Sequence, residues 1–299
     1  MTTSPHLRHS VTAGLLLVGG AALTWSFGGT IRRFIEADSW TVVFWRSYFA
    51  TVFLLLYMAV KHGPQGTVDH FRGMGWPGLA VGLCFCIAST SFVVALAHTT
   101  VANILLMQAG APLFAALISF LVFREAVSRG TWIAIAAVIA GVAIMVSQSF
   151  TGEVSLIGDG LALVITIAFS IATVITRRHH NIEMVPAVCF GVALAALFSG
   201  IMTTSFAVSA VDFAWLILFG AVNLGFGLAI FVTGARMVPA ALAALISTLE
   251  PVLAPIWVWL VHGEVPTRMT IIGGSVVFLA LLGHVLLQFR KPRKPSRAI

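Results

Sequence analysis

Long apolar runs separated by short polar breaks set the pattern of this 299-residue chain. Each run approaches the roughly 20 apolar residues that a helix needs to cross the hydrocarbon core of a bilayer. Only the break at 61–74 and the C-terminal tail are long, so no segment is suited to a soluble domain. The pattern predicts an all-α integral membrane protein with ten transmembrane helices, at 12–32, 40–60, 75–97, 101–122, 131–149, 157–176, 186–206, 212–233, 240–260 and 268–288.

The composition agrees with lipid as the main solvent. Hydrophobic residues make up 59% of the chain and charged residues 9%, against about 25% charged in soluble domains. The mean hydropathy is +1.03. The net charge of +7 comes from a few residues clustered in the breaks. We therefore interpret this charge as a topology signal and expect a lipid bilayer, not nucleic acid, as the large partner.

The distribution of basic residues predicts the orientation. If the N-terminus is cytoplasmic, thirteen Lys and Arg residues fall in inner breaks and three in outer breaks, with Arg46 inside a span. Because short cytoplasmic loops carry the excess of Lys and Arg, both termini are predicted to be cytoplasmic. The chain is therefore expected to cross its membrane several times.

The chain also resembles itself at a shift of 139 residues. Pro112 then falls on Pro251, and the stretch "APLFAALISFLVFRE" falls on "EPVLAPIWVWLVHGE". Glutamates and arginines in the following loops match as well, namely Glu125 with Glu264 and Arg129 with Arg268. Two units of five spans each would have opposite orientations, a common plan of transporters. We predict repeats at 1–150 and 151–289 and a basic cytoplasmic tail at 290–299.

These features resemble the EamA branch of the drug/metabolite transporter superfamily. The resemblance rests on three features: the five-plus-five repeat, "EPV" in the ninth span, and a glutamate after each proline-bearing helix. Within the branch, the chain is most similar to bacterial amino-acid and metabolite exporters of the YddG type. Many members have an acidic or aromatic residue before the proline of span 4, where this chain has Ala111. The resemblance implies export of small organic solutes through a central cavity by alternating access, without use of ATP. It also implies a location in the inner (plasma) membrane of a bacterium.

Glu250 is the main candidate for chemistry, because it lies in the middle of an apolar span directly before Pro251. Proline bends or breaks a helix, and in lipid such a break must face protein or a watery cavity. A carboxylate at the start of the second half-helix is favoured by the helix dipole. Three roles stay open: binding of a substrate amine, transport of a coupling proton, or a structural cap.

The remaining candidates are polar or aromatic residues within the spans. Gln108 lies one turn before Pro112, as Ser247 lies one turn before Pro251, and either side chain is suited to a solute or to a neighbouring helix. Arg46 either extends outward, pairs with Glu250, or attracts a substrate carboxylate. The predicted substrate-binding residues are Trp25, Gln108, Asn223, Ser247, Thr248 and Glu250, with helix breaks at Pro112, Pro251 and Pro255 and Arg46 as a charge partner.

Other classes of function are less favoured. An intramembrane enzyme needs paired acids or metal ligands, and the chain has no HExxH or Asp-rich motif. A retinal-type sensor needs a lysine inside the bundle, whereas Lys61, Lys291 and Lys294 all lie outside the spans. A purely structural subunit does not account for the repeat or for Glu250. We expect a secondary transporter without cofactor or metal, functional as a monomer, that exports amino acids or related metabolites; export of drugs or other metabolites with proton exchange is the alternative.

Overall fold

The described residues of the computed structural model are 5–124, 127–147, 155–179, 181–235, 237–238, 243, 246–247 and 249–290, with side chains described from 12 to 286. Over these ranges the protein is helical and has no strand, which confirms the predicted all-α class. The helices are α1 (Pro5–Ser26), α2 (Gly28–Arg33), α3 (Ser39–Gly73), α4 (Gly75–Ala95), α5 (Val101–Gln108), α6 (Ala111–Phe123), α7 (Arg129–Val146), α8 (Leu156–Arg178), α9 (Val185–Met202), α10 (Ala210–Ile217), a π-helical segment (Leu218–Phe226), α11 (Gly227–Ala235), α12 (Leu249–His262) and α13 (Arg268–Arg290).

Most of these helices are long and apolar enough to cross a membrane. Within the described residues, eight helical stretches meet this condition, and α5 with α6 makes a ninth span if the two are counted together across their 41° bend. The helix α12 has 14 residues and covers only part of the predicted ninth span. The described structure therefore supports eight or nine spans, and the count of ten stays a prediction.

Large apolar side chains cover the outside of the bundle. Val60 exposes 88% of its surface, Ile201 76% and Leu16 73%, on three different helices. A soluble protein rarely leaves so many large apolar groups in contact with water. This surface is suited to lipid.

The helix α3 is longer than the sequence pattern predicts. We expected a loop at 61–74, but the helix continues to Gly73 across a kink. Gly63 has a φ of 73°, which glycine adopts without strain, and Pro64 follows it. Because proline is well tolerated in the first turn of a helix, the chain changes direction at Gly63 and then resumes its helix.

Two local features recur at a separation of 139 residues. The hydroxyl of Ser128 accepts from the backbone N–H of Thr131 at 3.2 Å where α7 begins, and Thr267 accepts from Thr270 at 3.2 Å where α13 begins. Left-handed residues end the preceding helices, Arg124 (φ 54°) after α6 and Gly263 (φ 68°) after α12. The described residues that end one helix and begin the next therefore have the same local geometry in both halves of the chain.

Glycine pairs allow helices of the bundle to approach closely. A Cβ atom added at Gly191 of α9 would overlap the carbonyl group of Gly82 in α4, and one at Gly82 would lie 2.6 Å from the carbonyl oxygen of Ala187. A Cβ atom added at Gly141 of α7 would lie 2.7 Å from the carbonyl oxygen of Gly273 in α13. Since van der Waals packing and not water drives association of helices in lipid, small residues at such crossings contribute directly to stability.

We expect Gly191→Ala to destabilise the protein. The added methyl group meets backbone, which cannot move aside as a flexible side chain can, so α4 and α9 must separate. Overpacking of this kind costs about 1–3 kcal/mol. Gly160→Ala is the matched control, because nothing lies within 4 Å of the atom that it adds. Thermal unfolding in detergent should show a lower midpoint for Gly191→Ala only, and equal midpoints would contradict the close crossing.

Candidate functional site

Glu250 is the second residue of α12 and is half-buried within the bundle. Among the described residues, no hydrogen bond or ion pair involves its carboxylate. The hydroxyl of Ser247 donates to the carbonyl oxygen of Ala243 at 2.9 Å, so it is used within its own segment. Thr248 lies outside the described residues. Pro251 is buried directly after Glu250, and Pro255 lies inside α12. An ionisable side chain that has no partner among the described residues is thus placed inside an apolar helix.

The opposite end of α12 is joined to the first span. The indole N–H of Trp257 donates to the hydroxyl of Ser26 at 3.0 Å, and the ring of Trp257 stacks on Phe27 with 5.2 Å between centroids. His262 donates from Nε2 to the carbonyl oxygen of Thr30 at 3.1 Å. These contacts hold the C-terminal half of α12 against α1 and α2.

Trp25 and Asn223 lie together between the first span and the π-helical segment. Asn223 is buried and donates from Nδ2 to the carbonyl oxygen of Thr24 at 2.6 Å. Trp25 packs on Gly227 and on the ring of Phe231, with 5.1 Å between centroids. Its indole N–H is buried without a hydrogen-bond partner. Asn223 therefore joins two helices here, while Trp25 presents an unused donor beside a backbone that departs from α-helical geometry, as functional segments often do.

Gln108 is the last residue of α5, just before the bend that separates α5 from α6. Its side chain is half-buried and makes no hydrogen bond within the described part of the chain. Pro112 lies in the first turn of α6, on the other side of the bend. The helix α5 packs against α12, which carries Glu250. The broken span thus places an amide with free hydrogen-bonding groups on a neighbour of the glutamate's helix.

Arg46 is buried at 6% exposure in the membrane-spanning part of α3. Its Nη1 donates to the hydroxyl of Ser89 at 2.9 Å, and its Nε has no partner. The guanidinium lies over the ring of Phe219, 4.4 Å from the centroid, and 5.6 Å from that of Phe92. Within the described residues no carboxylate pairs with Arg46, so the charge is balanced only by aromatic faces and one hydroxyl. The structure does not bring it into an ion pair with Glu250.

A carboxylate joins three segments at the predicted outer end of the bundle, where the breaks at 34–38, 96–100 and 263–267 meet. Glu264 accepts from the backbone N–H of Val101 at 2.9 Å and forms an ion pair with Arg33 at 2.8 Å. Arg33 also donates to the carbonyl oxygen of Leu96 at 3.0 Å. Since Val101 begins α5, the carboxylate lies at a helix N-terminus, where negative charge is favoured. These bonds hold α2, α5 and the end of α12 together.

The sequence analysis did not predict a buried polar cluster that lies near the predicted outer end of the bundle. Asn103 of α5 donates from Nδ2 to Asp159 of α8 and to the hydroxyl of Thr99, the latter at 3.1 Å. The hydroxyl of Thr270 of α13 donates to the side-chain oxygen Oδ1 of Asn103 at 3.5 Å. Asp159 is 1% exposed, so Glu250 is not the only acid inside the bundle. The available signal was the placement of Asn103 and Asp159 in the first turns of two apolar runs.

Comparison with known proteins places this arrangement in a family. The profile of the EamA-like transporter family matches residues 12–147 and again residues 156–286. The chain belongs to the EamA-like transporter family. The resemblance stated from the repeat and from "EPV" is thereby confirmed.

Two curated relatives are the same exporter from two strains of one bacterium. The chain is 27% identical over 280 residues to the pseudopaline exporter CntI of Pseudomonas aeruginosa strain UCBPP-PA14, and equally to that of strain PAO1. Each alignment covers 90% of this chain and 95% of the relative. A solved crystal structure matches with a TM-score of 0.66 and 18% identity, covering 94% of this chain and 99% of that one. The structural match supports the fold.

Membership in the EamA family, together with the apolar helices, makes the protein a multi-pass protein of the bacterial inner membrane that transports small molecules. The family match and the relatives named as exporters point to a transporter rather than to an enzyme. The predicted class and location are confirmed. The roles assigned to individual residues stay predictions.

Proposed function

We propose that this EamA protein exports amino acids or related small metabolites from the cytoplasm by alternating access. The observation that supports the proposal is that two ionisable groups inside the bundle, one acidic and one basic, have no oppositely charged partner among the described residues. Glu250 has no hydrogen bond or ion pair in the described structure, and Arg46 has no carboxylate partner. A charged group in lipid is costly and is retained where it serves a substrate or a proton. A zwitterionic solute supplies one charge for each of them.

The amine of the solute is assigned to Glu250 and its carboxylate to Arg46. The Trp25 indole N–H is buried and has no hydrogen-bond partner among the described residues. The amide of Gln108 also makes no hydrogen bond within that part of the chain, so both groups are offered to the solute. Ser247, Thr248 and Asn223 complete the proposed set of substrate-binding residues. Asn223 is expected to contribute least to solute binding, because its amide already donates to the carbonyl oxygen of Thr24.

The proposed architecture is ten spans in two inverted repeats, 1–150 and 151–289, with the tail 290–299 and both termini in the cytoplasm. Support comes from the matched caps at Ser128 and Thr267 and the matched left-handed residues Arg124 and Gly263. Inverted repeats commonly place the substrate between them near the midplane. A bundle of this size contains a complete path, so we propose that the monomer is the functional unit.

Release of the solute requires the predicted outer end to open. There the bonds of Glu264 to Arg33 and Val101 close the bundle in the present structure. An exposed ion pair contributes only about 0–1 kcal/mol, so this closure is weak enough to open during each cycle. The helix α5 packs on α12. The bend between α5 and α6 is the proposed hinge about which α5 moves.

The direction of transport is proposed from two sources. The curated relatives are named as exporters, and the EamA resemblance implies export. A second candidate function is export of another metabolite or a drug in exchange for protons. The unpartnered carboxylate of Glu250 favours it, because the same group is suited to carry a proton.

The test is flux from proteoliposomes with a panel of labelled solutes. The panel contains zwitterionic amino acids, the matching amines without a carboxylate, and the matching acids without an amine, with and without a pH gradient. We expect the zwitterions to move faster than either singly charged analogue. Equal rates for all three, or no movement of any, would contradict the proposed substrate class. A rate that follows the pH gradient would support proton exchange.

A further inference from the structure

A cluster of metal-ligating side chains lies at the predicted inner end of the bundle, away from the candidate transport site. His62 and His70 belong to the end of α3, and Glu183 lies just before α9 begins. One potential ligand atom from each of the three residues lies within 4.8 Å of the others. The nearest oxygen of Glu183, Oε2, is 3.0 Å from Nε2 of His70 and 3.7 Å from Nε2 of His62.

The kink in α3 creates this cluster. Residues eight apart on a straight helix are separated by roughly 12 Å along its axis. The rings of His62 and His70 have their centroids only 4.3 Å apart. The left-handed Gly63 and the following Pro64 turn the helix back so that the two imidazoles meet. The arrangement depends on one glycine in a conformation that other residues rarely adopt.

A backbone hydrogen bond fixes the state of one imidazole. Nδ1 of His70 lies 2.7 Å from the carbonyl oxygen of Gly66, and a carbonyl can only accept. The Nδ1 atom therefore carries a hydrogen, and in the neutral ring Nε2 presents its lone pair toward Glu183. Histidines that bind metals are held in this way by a bond from their other nitrogen.

A lone pair and a carboxylate oxygen 3.0 Å apart repel each other unless a cation lies between them. A proton on Nε2 of His70 satisfies that one pair, but it leaves Nε2 of His62 at 3.7 Å from the same oxygen, beyond hydrogen-bond distance. Protons on both rings place two positive charges on neighbouring imidazoles. A single divalent ion satisfies both imidazoles and the carboxylate together.

The dimensions and the surroundings fit such an ion. Zinc binds nitrogen and oxygen at about 2.0–2.2 Å, so two ligands of a tetrahedral site lie roughly 3.3 Å apart. The distances from Glu183 Oε2 to the two imidazoles, 3.0 and 3.7 Å, lie on either side of that spacing. All three ligand atoms lie within 4.8 Å of one another, so small side-chain movements bring them to bonding distance from one ion. Phe71 and Met74 pack in one apolar cluster with Ile182 and Met184, which holds the two ligand-bearing segments together.

The two oxygens of the Glu183 carboxylate face different partners, and Oε2 is the one that lies near the histidines. Lys61 bonds to the other oxygen, Oε1, at 3.3 Å. It leaves Oε2 facing the two histidines.

We propose that His62, His70 and Glu183 form a binding site for a divalent transition-metal ion of the zinc type at the inner end of the bundle. Two imidazoles and a carboxylate are suited to Zn²⁺, Co²⁺ or Ni²⁺ rather than to Mg²⁺ or Ca²⁺, which prefer oxygen ligands. The ion joins the end of α3 to the start of α9. It is distinct from the solute site and requires no transport in order to be detected.

The test uses the full-length protein in detergent, treated with a chelator and titrated with Zn²⁺ and, for its absorption spectrum, Co²⁺. We expect His70→Gln and Glu183→Gln each to weaken binding at least about tenfold, since even the loss of a residue that only hydrogen-bonds to a metal ligand costs about 10–100-fold. Zn²⁺ should raise the unfolding midpoint of the wild type and not that of these variants. Lys61→Gln, which keeps all three ligands, and His98→Gln, at the opposite end, should bind Zn²⁺ as tightly as the wild type.

His70→Cys separates a metal site from a structural histidine, because a thiolate binds zinc but does not replace the bond to Gly66. We expect this variant to retain Zn²⁺ binding and the upward shift in the unfolding midpoint. If the wild type binds no Zn²⁺, or if His70→Gln and Glu183→Gln bind it with wild-type affinity, the cluster is an imidazolium–carboxylate ion pair and the proposal is wrong.

Discussion

Glu250→Gln is expected to lower solute flux at least about tenfold while the protein remains folded. The substitution keeps the size of the side chain and removes its charge, so only charge-dependent contacts are lost. A hydrogen bond to a charged group contributes about 1.5–3 kcal/mol, which corresponds to roughly 10–150-fold in affinity. No group of the described protein pairs with this carboxylate. The substitution is therefore expected to weaken binding of the solute and to leave the stability of the fold unchanged.

The measurement is flux of a zwitterionic amino acid over a range of concentrations, with Glu36→Gln as the control. Glu36 is exposed in the break after α2, so the same chemical change there should leave flux unaltered. Weaker apparent affinity in Glu250→Gln with a normal unfolding midpoint supports the binding role. If the variant keeps solute exchange but loses its response to a pH gradient, Glu250 carries a proton. Loss of folded protein would contradict both roles and assign the carboxylate to the structure of the broken helix.

The sequence predicted the helices well because lipid leaves the backbone few alternatives. Every polar group of the backbone must be paired inside the span, so long apolar runs become helices whatever their neighbours are. The position of the break before Pro112 was also readable, since proline restricts the residues that precede it. The extension of α3 was not, because the pair Gly63–Pro64 fits a loop as well as a kinked helix.

Contacts between distant segments could not be predicted from the sequence. Asn103 and Asp159 are separated by 56 residues, and only the packing of α5 against α8 joins them. Glu264 stood out through its match to Glu125, but its bonds to Arg33 and Val101 depend on how three segments meet. Glu125 itself lies outside the described residues. Spacing along a helix predicts which side chains share a face, whereas the partner across an interface follows from tertiary geometry.

Arg46 illustrates the limit of a sequence reading in the candidate site. The sequence left three roles open, and the structure shows a buried guanidinium against Phe219 and Ser89. This environment does not compensate a full charge. Cation–π contacts contribute about 0.5–2 kcal/mol, whereas removing an ion from water costs several. A residue kept at such a cost in stability is expected to act on a ligand, which leads to a second test with a large effect.

Arg46→Met is expected to raise or preserve the unfolding midpoint and yet to weaken transport of carboxylate-bearing solutes at least about tenfold. Methionine fills a similar volume without a charge, and replacing buried charges with apolar groups is often neutral or stabilising. Ser89, the one hydrogen-bond partner of the guanidinium, can turn its hydroxyl to a carbonyl of its own helix, so it is not left unpaired.

The opposite signs of the two effects make the test informative. A general defect in packing lowers stability and flux together, whereas loss of a carboxylate contact lowers flux alone. Arg268→Met, at an exposed position, is the control and should change neither. Solutes without a carboxylate should be transported by Arg46→Met as well as by the wild type. If the variant slows them as much as it slows the amino acids, Arg46 does not bind the carboxylate, and the pairing of Arg46 and Glu250 with a zwitterion is wrong.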